Sequence, residues 1–172
     1  PVEAAIWMVS MLPFATVVFA PIFGLLVDKI GHGTRWMLTG AVLALIAHLM
    51  LAFAPSGIPF YGYLSMVFLG FGYSLVPAAM WPSVTKIVPN KVLGTAYSLI
   101  YWVQNLGLMS FKMFAGKILA DTNLDKGVSE AGAFWVEVMF VAVCVVALLL
   151  ALSLSVYSRR NPHLKIDLPD QS

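Results

Sequence analysis

Five side chains between positions 97 and 112 have the types and spacing to hold a polar solute inside a membrane. At about 100° per residue on a helix, Tyr97, Tyr101, Gln104, Asn105 and Lys112 fall within a sector of roughly 100°. Leu99, Ile100, Val103, Leu106, Met113 and Phe114 occupy the opposite face. Two phenols, two amides and an ammonium on one face can exchange hydrogen bonds with a solute and attract a carboxylate. Leaving such groups unpaired in hydrocarbon would cost on the order of several kcal/mol. The face must therefore look at other helices or at a water-filled cavity. Two readings stay open. Gln104 and Asn105 can bond neighbouring helices for about 0.6 kcal/mol each, with Lys112 snorkelling to the outer interface. Alternatively, the whole stripe lines an aqueous path.

A second stripe lies earlier, where Tyr63, Met66, Gly70, Tyr73, Ser74, Pro77 and Trp81 share another sector of roughly 100°. Gly70, Gly72 and Pro77 suit a helix that packs closely or bends. A seam of small residues with Tyr63 and Trp81 as interfacial belt residues explains the same pattern. His48 stands alone in an apolar stretch and is expected to be a packed, hydrogen-bonded histidine rather than a proton relay. Glu137 is expected to lie near the outer end of its span, where it reaches water. The stretch from Asp121 to Gly127 has its glycine one place late for a calcium loop, and Gly132 stands where a bidentate Glu is required. No His-Glu-x-x-His, paired in-membrane carboxylates or Ser/His/Asp set offers membrane-embedded catalysis. No enzyme activity, metal or cofactor is expected.

The elements that must position these residues follow from composition. The chain is 60% hydrophobic and only 10% charged, with a mean hydropathy of +0.89; soluble domains carry about a quarter charged residues. One cysteine, Cys144, gives no disulfide framework. The basic residues are scattered among helix ends, which excludes a nucleic-acid face. A span needs roughly 20 mostly apolar residues, and five stretches qualify: about 4–27, 36–54, 60–81, 93–120 and 133–157. Pro13 and Pro21 should kink the first. Residues 158–172 read as a polar tail. Lys29, Arg35, Lys86, Lys91, Arg159, Arg160 and Lys165 fall on one side of the membrane, against Lys117 and Lys126 on the other. The richer side should be cytoplasmic, with the tail inside and the turn at Ser56 outside. The expected location is a cell (inner) membrane rather than an organelle membrane. Five spans form an odd set, so one further helix is expected before Pro1.

The remaining polar cluster is the turn between the first two spans. Pro21-x-x-Gly24-x-x-x-Asp28-Lys29-x-Gly31, ending in Arg35, resembles the loop signature of the major facilitator superfamily. That signature follows the second helix and recurs in weaker form after the eighth. Here His32-Gly33 replaces the basic pair expected after Gly31, and the positive charge is delayed to Arg35, which suits the weaker copy. The third span also lacks the arginine typical of the fourth helix, and the fourth lacks the Gly-x-x-x-Gly-Pro pattern of the fifth. The five spans therefore resemble helices eight to twelve of a twelve-helix, all-α integral membrane fold. Ala79-Met80-Trp81-Pro82-Ser83-Val84, Val88-Pro89, Leu93-Gly94-Thr95-Ala96-Tyr97 and Gln104-Asn105-Leu106-Gly107 are similar to the branch of that superfamily containing a lysosomal dipeptide uniporter.

The resemblance implies a secondary transporter working by alternating access, with a small-molecule substrate near mid-membrane between this part and an N-terminal half. Tyr97, Tyr101, Gln104, Asn105 and Lys112 would form one wall of the site, with Tyr73 and Trp81 contributing. Gly24, Asp28, Lys29, Gly31 and Arg35 would form a gating loop. The partners expected are the substrate, the lipid bilayer and the N-terminal half, and no nucleic acid. A drug or metabolite exporter of the same superfamily, or a non-transporting receptor or accessory module, are the competing readings.

Overall fold

The computed structural model describes residues 2–55, 58–122 and 129–169. The turn at Ser56 and Gly57 and the loop 123–128 lie outside the described residues. Five long helices follow one another: α1 (Val2–Ile30), α2 (Gly33–Phe53), α3 (Pro59–Ile87), α4 (Leu93–Thr122) and α5 (Glu130–Arg160). The described regular structure is entirely helical, as backbone groups in hydrocarbon require. Each expected stretch overlaps one of these helices, and the ends differ by a few residues. α3 continues to Ile87, past the connection expected from Thr85, and α1 continues as helix through Pro13 and Pro21. Segments Ile6–Ile30, Gly33–Phe53, Pro59–Ile87 and Glu130–Arg160 are long and apolar enough to cross a membrane. α4 is as long, at 30 residues, but its polar stripe makes it less apolar.

α3 is the central element, packed against α1 on one side and α2 on the other. Its buried residues are Ser65, Gly70, Gly72, Ser74, Leu75, Ala79 and Ser83. Small side chains let helix backbones approach closely where lipid supplies no hydrophobic drive. The backbones come close at Gly72, where an added Cβ would stand 2.8 Å from the Gly40 carbonyl oxygen of α2. The buried serines donate to carbonyls one turn back in α3, Ser74 to Gly70 at 2.7 Å and Ser83 to Ala79 at 2.7 Å. The stripe expected on α3 thus divides. Gly70 and Ser74 belong to the packing seam, while Tyr63 and Tyr73 are exposed.

α5 packs on α2, and a hydrogen-bonded pair of side chains joins them. The Nδ1 atom of His48 lies 2.8 Å from Oε2 of Glu137. The side chains are 14% and 23% exposed, so Glu137, near the start of α5, keeps some access to solvent and also pairs with His48. Phe140, one turn further along α5, stacks on the imidazole with ring centroids 5.1 Å apart. His48 is hydrogen-bonded, as its isolation in an apolar segment requires.

Removing one member should leave the other shielded and unpaired. Glu137→Ala in the full-length protein should cost about 1–3 kcal/mol, read as a lower thermal unfolding temperature in detergent. His48→Leu combined with Glu137→Leu should lose less than the single change, because replacing both hydrogen-bonding partners by apolar groups can be nearly neutral. Wild-type stability in Glu137→Ala would show that the pair contributes nothing.

Candidate functional site

The chain turns from α3 into α4 within five residues, through Val88, Pro89 and a single 3-10 turn at Asn90–Val92. This short connection brings the end of α3 beside the start of α4. Trp81 meets Tyr97 edge to face with ring centroids 5.3 Å apart, and Tyr101 stacks on Trp81 at 4.9 Å. Tyr97 also donates its hydroxyl hydrogen to the Trp81 carbonyl at 3.3 Å. Three of the expected wall residues therefore form one aromatic corner. Tyr101 remains 53% exposed, so the corner keeps an open aromatic edge.

Gln104, Asn105 and Lys112 continue from that corner along α4 and are all exposed. Asn105 donates from Nδ2 to the Tyr101 carbonyl at 2.8 Å, within its own helix. Tyr73 sits two turns back on α3, exposed and outside the aromatic corner. No residue of α4 is buried, and added Cβ atoms at Gly94, Gly107 and Gly116 would have nothing within 4 Å. The described residues provide no facing wall for the stripe. Two open hollows, of about 380 and 390 Å³, are lined by Ile118, Asp121 and Trp135 among others, and by Ile46, Phe53 and Tyr61 among others. Neither includes an expected wall residue.

At the same end of the bundle lies the loop joining α1 to α2. Gly31 and His32 reverse the chain with φ of 73° and 58°. Gly24 has open space around it. Asp28 is half-exposed in the last turn of α1, and Lys29 and Arg35 are exposed on either side of the reversal. Among the described residues, the three charged groups make no ion pair. The loop rests on a small core of Val27, Met37 and Ala79, with Trp36, Met80 and Leu154 packed against it. The Trp36 indole donates to the Gly31 carbonyl at 3.0 Å.

The tail supplies what the loop lacks. His32 caps α2 with no side-chain hydrogen bond, leaving helix-start N–H groups in need of acceptors. After α5 the chain makes a 3-10 turn at Pro162–Leu164, reverses at Lys165 and folds back. The Asp167 carboxylate accepts from the Thr34 N–H at 2.9 Å, the Thr34 hydroxyl at 2.8 and 3.0 Å, and the Ser158 hydroxyl at 2.7 Å. The His32 N–H donates to the Asp167 carbonyl at 2.8 Å, and Lys86 donates from Nζ to the Leu168 carbonyl at 2.7 Å. Ile166 is only 2% exposed. A Cβ on Gly31 would stand 2.7 Å from the Asp167 carbonyl oxygen, so this glycine serves both the positive φ and the passage of the tail. One on Gly33 would stand 3.0 Å from Ser83 Oγ and 3.5 Å from the Ile166 carbonyl oxygen, so this glycine sits close against α3 and the tail. The sequence describes residues 158–172 only as a polar tail. The signal available there was a helix start, Gly31-His32-Gly33, with no capping side chain of its own.

The chain matches the Major Facilitator Superfamily over residues 1–171. It belongs to that superfamily. With its long apolar helices, it is a multi-pass membrane protein. It is similar to the lysosomal dipeptide transporter MFSD1 of Mus musculus, 39% identical over 141 residues, 81% of this chain and 27% of the relative. The Homo sapiens protein of the same name is 35% identical over 157 residues, 91% of this chain and 31% of the relative. The Gallus gallus protein is 41% identical over 127 residues, 73% of this chain and 25% of the relative. The chain thus spans less than a third of the length of these relatives. The sequence resemblance to that branch is correct, and the all-helical partial major facilitator fold stands.

Burial works to raise the pKa of Asp167, but hydrogen bonds from Ser158 and Thr34 and the nearby His32 bring it below the ordinary 3.8. A carboxylate depressed on folding contributes stability above its unfolded value, and loses it as pH falls through the folded one. Amide protection at His32 and Thr34 should therefore stay level from about pH 8 to about pH 5 and fail only in stronger acid. Hydrogen exchange, corrected for its intrinsic pH dependence, measures this. A loss centred near neutral pH would contradict it.

Proposed function

We propose that the full-length protein is a secondary transporter that moves a small polar or anionic organic solute, peptides among them, by alternating access. The observation carrying this reading is the aromatic corner of Trp81, Tyr97 and Tyr101, continued by Gln104, Asn105 and Lys112 on a helix that buries none of its residues. In a membrane such a face needs polar company, and an aqueous path shared with an N-terminal half provides it. α4 then crosses the membrane as a lining helix, its polar face towards the path. Lys112 attracts a substrate carboxylate, the two amides orient polar groups, and the aromatic corner packs against the apolar part of the solute. Tyr73 contributes from α3. Superfamily membership and relatives named as dipeptide transporters support the substrate class.

Asp28 acts separately in this proposal. Its carboxylate, at the end of α1 without an ion-pair partner in the described residues, meets the positive N-terminus of a helix in the other half and holds one side closed. Lys29 and Arg35 anchor the loop to neighbouring acceptors or lipid phosphate. The excess of basic residues puts this loop and the tail on the cytoplasmic side. The relatives are named for the lysosome, which does not favour the cell inner membrane expected from sequence and supports a lysosomal membrane instead.

Uptake into vesicles containing the full-length protein tests the wall. Lys112→Met should reduce uptake of a dipeptide with a free carboxylate roughly tenfold or more, the scale of one charge-assisted hydrogen bond, at unchanged protein level. Its C-terminally amidated analogue should lose less. Equal uptake by wild type and variant would remove Lys112 from the site. For the gate, Asp28→Asn should shift the resting population towards inward-open by about two- to fivefold, the range of a helix-dipole contact. Cysteine crosslinking across the cytoplasmic mouth reads this shift, and an unchanged pattern would count against the gate.

A further inference from the structure

The proposed gate gives Asp28 a task but does not explain what holds its loop in shape. The loop has two consecutive residues at positive φ, Gly31 and His32, a conformation that residues other than glycine adopt at a cost. Its helix start has no side-chain cap of its own. The backbone and carboxylate of one tail residue meet both needs. The Asp167 carbonyl takes the His32 N–H, and its carboxylate takes the Thr34 N–H and hydroxyl. A carboxylate at this place also faces the positive end of the α2 dipole.

We infer that Asp167 is a positioning residue of the gate, capping α2 from the far end of the chain and so fixing the loop that presents Asp28 and Arg35. The inference rests on the gating role proposed for Asp28. Three observations bear on it independently. Gly31 and Gly33, in the signature stretch, are the positions where a Cβ would press on tail atoms or on the α3 residue beside them. The tail is held from three helices, through Thr34 of α2, Lys86 of α3 and Ser158 of α5. Ile166, adjoining the carboxylate, is buried as deeply as the centre of the bundle. The tail is therefore a built component of the junction. The hydrogen bonds of its described residues go to the loop, α2, α3 and α5 and to none of the proposed wall residues, so the route from the tail to transport runs through the loop.

The experiment uses the full-length transporter and two readouts, amide exchange at residues 32–36 and the crosslinking assay for the inward-open population. Asp167→Ala should speed exchange at these amides at least tenfold and shift crosslinking in the same direction as Asp28→Asn. Asp28→Asn alone should shift crosslinking and leave exchange unchanged. In the Asp28→Asn background, Asp167→Ala should add little to the crosslinking shift, because both changes act through one contact. Asp167→Asn, which keeps an acceptor oxygen for Thr34, should restore most of the protection. Thr34→Val removes the hydroxyl contacts while preserving shape, and should give the same changes in smaller measure should Asp167→Ala fold poorly.

Unchanged exchange in Asp167→Ala and Thr34→Val would overturn the inference. So would faster exchange with wild-type crosslinking, in a background where Asp28→Asn still shifts it. Wild-type crosslinking in Asp28→Asn itself would instead remove the gate, and the positioning role with it; faster exchange in Asp167→Ala would then identify the tail as a structural cap only.

Discussion

The start of α2 lacks a cap of its own, and the arrangement at that end of the bundle depends on how this need is met. Free N–H groups at a helix start require acceptors, and the reversal through Gly31 and His32 offers none from its side chains. The acceptor comes from Asp167, 133 residues away from Thr34. Meeting that need draws the tail back across the loop and buries Ile166. It also gathers the ends of α1, α2, α3 and α5 around Val27, Met37 and Ala79. Three helices are thereby tied at one end by polar contacts with the tail, and α1 joins them through a small apolar core.

α4 is organised on the opposite plan. It buries nothing and meets α3 chiefly through the aromatic corner at its start. The α2–α3 seam has glycine at positions 40 and 72 because the space a side chain would take is occupied, by the Val76 side chain at Gly40 and by the Gly40 carbonyl at Gly72. The glycines of α4 face no such neighbour. A tightly seamed group of helices with one loosely held amphipathic member is suited to presenting that member to a path. The hydrogen-bonded pair of His48 and Glu137 joins α5 to α2.

Much of this was legible in the sequence because hydrophobic length and helical periodicity are local properties. The five helices, the stripe from Tyr97 to Lys112 and the superfamily signature are all read from residues close in the chain. What the sequence did not reveal depends on residues far apart. Glu137 near a helix end reads as a solvated carboxylate until α5 packs on α2 and places His48 beside it. Asp167 in a polar tail has no periodicity to mark it, and only the uncapped start of α2 hints that an acceptor must arrive. The stripe expected on α3 mixed two populations, since Gly70 and Ser74 share a sector with Tyr73 yet face the packing seam. Tyr97 and Trp81 each stand out in the sequence, but their contact depends on the short connection after Ile87.

The central claim is that the face from Tyr97 to Lys112 lines an aqueous path used by substrate. Single cysteines at positions 101, 105 and 112 of a cysteine-free full-length transporter, treated with a membrane-impermeant thiol reagent, test it most directly. Cysteines at 103 and 114 on the opposite face serve as controls. The account predicts labelling at the first three positions, slowed by saturating dipeptide, with protection at the two controls. Protection at all five positions, or labelling indifferent to face and to substrate, would contradict it.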